Sequence, residues 1–267
     1  MAKFLVIRME SSRTNSNTMR ILAIAAVLAA FVLSPAARAQ KPAPDLSGVY
    51  TRSGGGGAQN PMSEWTAEAL PFTPEGLARF NANKPGKGPR QVPPAFGNDT
   101  IGDSNPPALY RTLIYNRPFE IVQTPSKVIQ LFEWAKAWRV IWTDGRPAPD
   151  DLPAGPYWYG YSVGKWEADT LVVETLGLDD RAWLDEWGTP FSGDAHIEER
   201  WKRTGPDRIE LTITVRDPAL YSKPWTSSPI VYSSQRKTEV LEMIFAPIDE
   251  KEFNKRVRDP AAGVGKK

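Results

Sequence analysis

The sequence predicts a mainly β protein: an antiparallel β-barrel or strongly curved sandwich, lipocalin-like, with an N-terminal irregular arm and short peripheral helices. Three observations carry this. From Pro118 onward, about nine β-branched and aromatic runs follow one another with short breaks and no alternating helices. Within Leu211-Thr212-Ile213-Thr214-Val215 apolar and polar residues alternate, as in a strand covering a core on one face. Before residue 110, Pro and Gly recur too often for long regular elements.

Taken in order, residues 21–33 form a 13-residue apolar run after Arg20, followed by Ala37-Arg38-Ala39. That is the pattern of a secretory signal peptide over 1–39, and the run is too short for a membrane span of about 20 residues. Residues 1–18 read either as a mis-set start before Met19 or as a long n-region. Residues 40–109 form the arm, with a first strand at 45–50 and a short helix at 64–70. A second helix is expected at 73–80, where Thr73 can cap, Pro74 suits the first helical position, and Leu77 and Phe80 share a face. The barrel is expected over 110–246, with strands at 119–124, 128–134, 138–142, 157–166, 170–176, 196–203, 208–216, 230–234 and 239–245. Glu167-Ala168-Asp169 reads as a tight hairpin whose two acids bond turn amides. Residues 250–257 close the chain as a helix behind Asp249, inside a C-terminal segment 247–267.

Composition narrows the function classes. The chain has 33 Lys and Arg against 31 Asp and Glu, but residues 1–39 hold five of the basic and one of the acidic residues. The remainder carries about −2, so no basic surplus supports nucleic-acid binding. There is no Cys and a single His, which removes disulfides, thiolate sites and multi-His metal centres. No cofactor motif is present: Gly54–Gly57 lacks the Lys-Ser/Thr and helix of a phosphate loop. The expected protein is periplasmic or secreted and has no membrane anchor; a homo-oligomer is compatible with the sequence.

The chemistry-bearing residues fall into a few groups. His196, Glu198 and Arg200 share one strand face, and a His with a carboxylate can do acid–base work near neutral pH. The same residues also suit a solvated strand with cross-strand ion pairs. Tyr157, Tyr159 and Tyr161 alternate, so a phenol held by a cation could exchange a proton; ordinary core packing is the other reading. Glu133 and Arg139 flank a short link and are expected to face each other, as a structural pair or a ligand clamp. Arg146, after the Asp144-Gly145 turn, sits at the rim. Trp138, Trp158 and Trp201 would wall a pocket.

Several stretches carry a resemblance: Glu120-Ile121-Val122-Gln123-Thr124-Pro125, Thr143-Asp144-Gly145-Arg146-Pro147, Gly164-Lys165-Trp166-Glu167-Ala168-Asp169-Thr170-Leu171-Val172-Val173-Glu174-Thr175, Glu199-Arg200-Trp201-Lys202-Arg203 and Asp217-Pro218-Ala219-Leu220-Tyr221-Ser222-Lys223-Pro224-Trp225. Over roughly 105–245 the chain resembles a large family of exported β-rich proteins common in acidobacteria and sphingomonad-type proteobacteria. In such proteins Gly usually stands in place of Ala168, His in place of Tyr161 and often of Ala148, and a Cys lies near Ser104. The resemblance implies the fold and leaves the activity open.

Two functions compete. One is an exported, cofactor-independent lyase, isomerase or dehydratase acting on a small apolar or aromatic molecule in a barrel cavity. In it, Tyr161 and His196 point into one cavity and handle protons, Glu198 orients the imidazole, and Arg200 or Arg139 stabilises developing negative charge. Glu133, Arg139, Trp138, Trp158, Tyr159 and Arg146 would bind the substrate. The other is a carrier that only holds such a ligand.

Overall fold

The computed structural model describes residues 43–53, 65–66, 69–93, 96–103, 105–150, 152, 157–243 and 252–263. The expected signal peptide, the Gly54–Gly57 run, the Asp249 cap and residues 64, 67 and 68 of the expected 64–70 helix lie outside the described residues; of residues 65, 66, 69 and 70 only Trp65 is helical. Among the described residues there are ten strands: β1 Gly48–Arg52, β2 Phe119–Gln123, β3 Lys127–Phe132, β4 Trp138–Trp142, β5 Tyr161–Glu167, β6 Thr170–Leu176, β7 His196–Gly205, β8 Arg208–Arg216, β9 Trp225–Thr226 and β10 Ile230–Ser234.

Nine of them close a barrel. β1 to β8 pair in chain order, and β10 bridges β8 and β1 to shut the ring. β9 lies on the same edge of β8 as β10. Trp225 stands opposite Val215 and Ile230 opposite Leu211, so the two are one strand broken at 227–229. Ser227 fills the break: its N–H donates to the Ile213 carbonyl (2.7 Å), and its hydroxyl oxygen accepts from the Ile213 N–H (2.9 Å). A side chain thus replaces the missing ladder bond at this bulge.

The barrel is mixed, which corrects the antiparallel expectation. β4 and β5 run parallel, with Ile141 opposite Ser162 and Trp142 opposite Val163. The connection through 143–160 is long enough to carry the chain back to the starting end of the barrel, which a hairpin cannot do. β5 also begins later than expected. Gly160, at φ +65°, ends a turn in which a Cβ would lie 2.9 Å from the Leu176 carbonyl oxygen, and only Tyr157 bridges to Leu178. The strand expected at 239–245 is absent from its described part, 239–243, where the Leu241 N–H instead donates to Glu133.

Alternation decides what fills the ring. Phe119, Ile121, Phe132, Ile141, Val173, Ile197, Trp201, Ile209, Leu211 and Tyr232 point inward and are buried. Among the described residues two α-helices precede β2: α1, Pro74–Ala82, and α2, Leu109–Ile114. α2 departs from the expectation of barrel strands from residue 110 onward. All six of its residues are buried, and Leu109, Tyr110 and Leu113 join the core. The wall satisfies its last carbonyls: Tyr232 donates to the Leu113 oxygen (2.9 Å) and Arg52 to that of Ile114 (2.8 Å). The interior is packed with side chains and plugged by this helix.

α1 starts as expected, with the Thr73 hydroxyl accepting from the Gly76 N–H (3.0 Å) and Pro74 at the first position. Its buried face differs. Leu77 is exposed, and contact is made through Gly76, where a Cβ would stand 2.0 Å from the Leu220 carbonyl oxygen. Phe80 stacks on Phe72 and is covered by Arg90. Near Leu220, the Asp217 carboxylate accepts from the Ser192 N–H (2.7 Å) and hydroxyl (2.9 Å). The Asp-Pro-Ala-Leu-Tyr motif is therefore a clamp on the loop between β6 and β7.

Candidate functional site: a groove on the outer wall

On β5 to β8 the outward residues fall in rows. Val163, Glu174, Glu198 and Thr214 form one row across four strands, and Lys165, Val172, Arg200 and Thr212 the next. The turn beyond β4 folds over this surface. Gly145, Arg146, Pro147 and Ala148 face Val163, Gly164, Lys165, Glu167, Val172, Glu174, Glu198, Arg200 and Arg216 across an open groove of about 400 Å³. Its floor is the apolar strip Val163–Val172, and its walls are charged.

The charges hold one another in place. Arg200 donates to Glu167 (3.0 Å) and Glu198 (3.3 Å), and Arg216 donates to the other oxygen of Glu198 (3.0 Å). Lys165 pairs with Glu167 at 2.9 Å. Hydrogen bonds from Lys165 and then Arg200 hold the Glu167 carboxyl below its ordinary value. Arg146 is fixed from two sides. Its Nε and Nη2 donate to Asp144, the shorter bond at 2.6 Å, and its guanidinium lies 3.8 Å over the Trp142 ring. Its remaining nitrogen reaches the Tyr161 hydroxyl at 3.5 Å.

The expected acid–base set is co-facial but lies on the outside of the barrel. Tyr161, Glu198 and Arg200 all point outward, with His196 at the end of the same face. This corrects the placing of Tyr161 and His196 inside the barrel: outward parity on β5 and β7 excludes both from the interior. Tyr161 lies opposite Leu176, and the β6–β7 register puts His196 on the far side of that leucine. Two strand spacings, about 10 Å, separate them. The imidazole Nδ1 is 3.1 Å from Glu174, so Glu174 orients the histidine in place of Glu198, which is occupied by two arginines.

The residues expected to bind substrate divide. Arg139 points inward and is buried, but its partner is Glu199, which corrects the Glu133–Arg139 pair. Arg139 Nη1 and Nη2 donate to the two Glu199 oxygens at 3.1 and 2.9 Å, and Nη2 also donates to Thr175 (3.3 Å). Glu199 further accepts from Tyr110 (3.0 Å) and the Trp201 indole (2.9 Å). Burial drives the Tyr110 phenol well above its ordinary value, with the Glu199 charge adding to it. Glu133 lies at the β3–β4 link and accepts from Leu241 at 3.2 Å. The link turns through Ala135 and Lys136, both at positive φ.

Trp138 stands on the outer face at 61% exposure, so it walls nothing inside the barrel. Trp158 donates to the Pro107 carbonyl (3.2 Å), and Arg181 lies over its ring. Tyr159 packs against the core, and burial raises its phenol. Sequence reasoning missed Glu199, the centre of the interior network, and Glu174, the partner of His196. Strand parity within Ile197-Glu198-Glu199-Arg200-Trp201 places Glu199 beside Ile197 and Trp201, the signal that would have put it inside. Comparison of the chain with family models, curated proteins and solved structures finds no match.

Proposed function

We propose that the protein binds a small molecule with an apolar or aromatic body and a charged end in the groove over β5 to β8. The observation that carries this is the division of the barrel: its interior is packed with side chains and plugged by α2, while the outer wall offers open space with an apolar floor. A floor of Val163 and Val172 takes an apolar face, and pre-fixed guanidiniums orient an anionic group without a large ordering cost. Arg146 is the best placed of them, held by Asp144 and stacked on Trp142. The export pattern in residues 21–39 supports a periplasmic or secreted setting.

A catalytic version has one observation in its favour: Tyr161, beside Arg146, and His196, beside Glu174, flank Leu176 on this same face. A ligand bridging them could gain a proton from one end and lose one at the other, as an isomerase or lyase needs. A panel of aromatic carboxylates and neutral aromatics, followed by tryptophan emission and by mass, tests both. Saturable quenching that falls at least about tenfold in Val163→Arg supports the groove; quenching unchanged in that variant refutes it. Turnover abolished in Tyr161→Phe and His196→Gln supports catalysis, and binding without product after long incubation leaves the carrier.

A further inference from the structure

The C-terminal helix, residues 252–261, takes no part in the groove or the barrel core. It includes Asn254–Arg258 and Asp259–Ala261 and is pinned by buried Asn254, whose side-chain amide donates to the Gly102 carbonyl at 3.1 Å. On its open side stand Phe253 and Val257, four residues apart, at 55% and 51% exposure. An i, i+4 apolar pair facing water is the part of an amphipathic helix that a core would ordinarily cover. Beside it Lys255 and Arg256 are exposed and Arg258 is half-buried. Arg256 pairs with Glu252 at 2.6 Å and Arg258 with Asp259 at 3.3 Å, surface pairs that leave the other guanidinium nitrogens for a phosphate.

The distribution of charge singles out the same segment. Residues 251–267 hold six basic and two acidic residues, whereas residues 40–250 hold 22 basic and 28 acidic. The chain after the expected cleavage site is net acidic, yet its last seventeen residues are net basic by four. Concentrated positive charge beside exposed Phe and Val is complementary to an anionic lipid surface. Apolar side chains enter the headgroup–acyl boundary while Lys and Arg meet the phosphates. A nucleic acid or acidic protein surface would satisfy the cations alone, and the apolar pair is what favours lipid.

We propose that this helix docks the protein on anionic membranes through Phe253 and Val257, with Lys255 and Arg256 at the headgroups. The helix lies on the surface and does not cross it. Co-sedimentation of the whole purified protein with phosphatidylcholine vesicles, with and without phosphatidylglycerol, tests this. Binding is expected only with phosphatidylglycerol, and Lys255→Glu with Arg256→Glu should weaken it by about tenfold or more. Phe253→Ser with Val257→Ser should weaken it by a similar factor, about tenfold. All four side chains are exposed, and the one ion pair lost, Arg256 with Glu252, is a solvated surface pair, so circular dichroism should stay close to the parent. Arg256→Gln and Phe253→Ala give milder variants. Absence of binding to the anionic vesicles would overturn the proposal. So would equal binding to both vesicle types, full binding by the Ser variant, or tighter binding to duplex DNA than to vesicles.

Discussion

Replacing Glu199 by Gln changes one oxygen to an amide at the most buried charge in the barrel. The carboxylate has 0% side-chain exposure and its partner Arg139 has 2%. It accepts two bonds from that guanidinium, one from Tyr110 and one from Trp201. Glutamine keeps one acceptor and turns an NH2 donor toward the guanidinium donors, leaving the buried cation without a counter-charge. Breaking one side of such a pair costs about 3–5 kcal/mol. For a domain of this size that corresponds to a fall in Tm of roughly 6–20 °C. Equilibrium urea unfolding followed by tryptophan emission measures it. Arg139→Met alone should also destabilise, since it strands the carboxylate. The double variant removes both charges and leaves a glutamine whose oxygen can take the Trp201 indole and whose NH2 can donate to the Tyr110 hydroxyl oxygen, since those two groups bond different carboxylate oxygens. It should therefore recover about 2 kcal/mol or more relative to additivity. A cost below about 1 kcal/mol for Glu199→Gln, or additive single changes, would refute the view of this pair as the interior's electrostatic centre.

Other outcomes follow from particular contacts. Ala168 occupies the β5–β6 hairpin at φ 55°, a conformation that costs an L-residue about 1–2 kcal/mol, so Ala168→Gly should raise stability by about 1 kcal/mol in urea titration. Gly76→Ala pushes a Cβ into the Leu220 backbone and should destabilise by about 1–3 kcal/mol, read as an earlier thermal midpoint. Burial pushes the Glu186 carboxyl up, but the Tyr115 hydroxyl and Lys87 outweigh it and its folded value is lowered. A depressed carboxyl contributes stability above its unfolded value of about 4.3 and loses it as pH falls through the folded one. The stability gap between the parent and Glu186→Gln should therefore shrink on acidification below about pH 4.3, and a constant gap would contradict the sign.

The strands β7 and β8 were legible because their burial alternates strictly along their inner stretches. Leu211 to Val215 and Ile197 to Trp201 announce their inward faces through large apolar residues at alternate positions. The parallel β4–β5 pairing was not legible: it depends on where the 143–160 connection delivers the chain, which no periodicity records. α2 was hidden for a related reason. Leu109, Tyr110, Leu113 and Ile114 are spaced as on one helix face with Arg111 and Thr112 between them, but six residues squeezed between a proline-rich arm and a strand are too few to establish a period, and the two polar residues are themselves buried.

The candidate site was half legible. Alternation put Tyr161 on one face of β5, and His196, Glu198 and Arg200 on one face of β7, but could not say which face was the interior. The apolar partners of the opposite parity, Ile197 and Trp201, decide that, and they send the acid–base set outward. Partner identity was harder. Glu133 and Arg139 are near in sequence, yet Arg139 reaches across the barrel to Glu199, sixty residues away, because the ring closes there. Ion pairs across a closed barrel follow from its register, which is a property of all nine strands together.

Backbone amide shifts in a titration with a ligand from the aromatic panel test the central claim, that the outer wall and not the interior receives the ligand. Changes are expected at 145–148, 163–167, 172–174 and 198–200, around the groove. Changes centred on Tyr110, Phe119, Trp201 and Tyr232, with the outer wall unmoved, would show that α2 yields and the interior is the site.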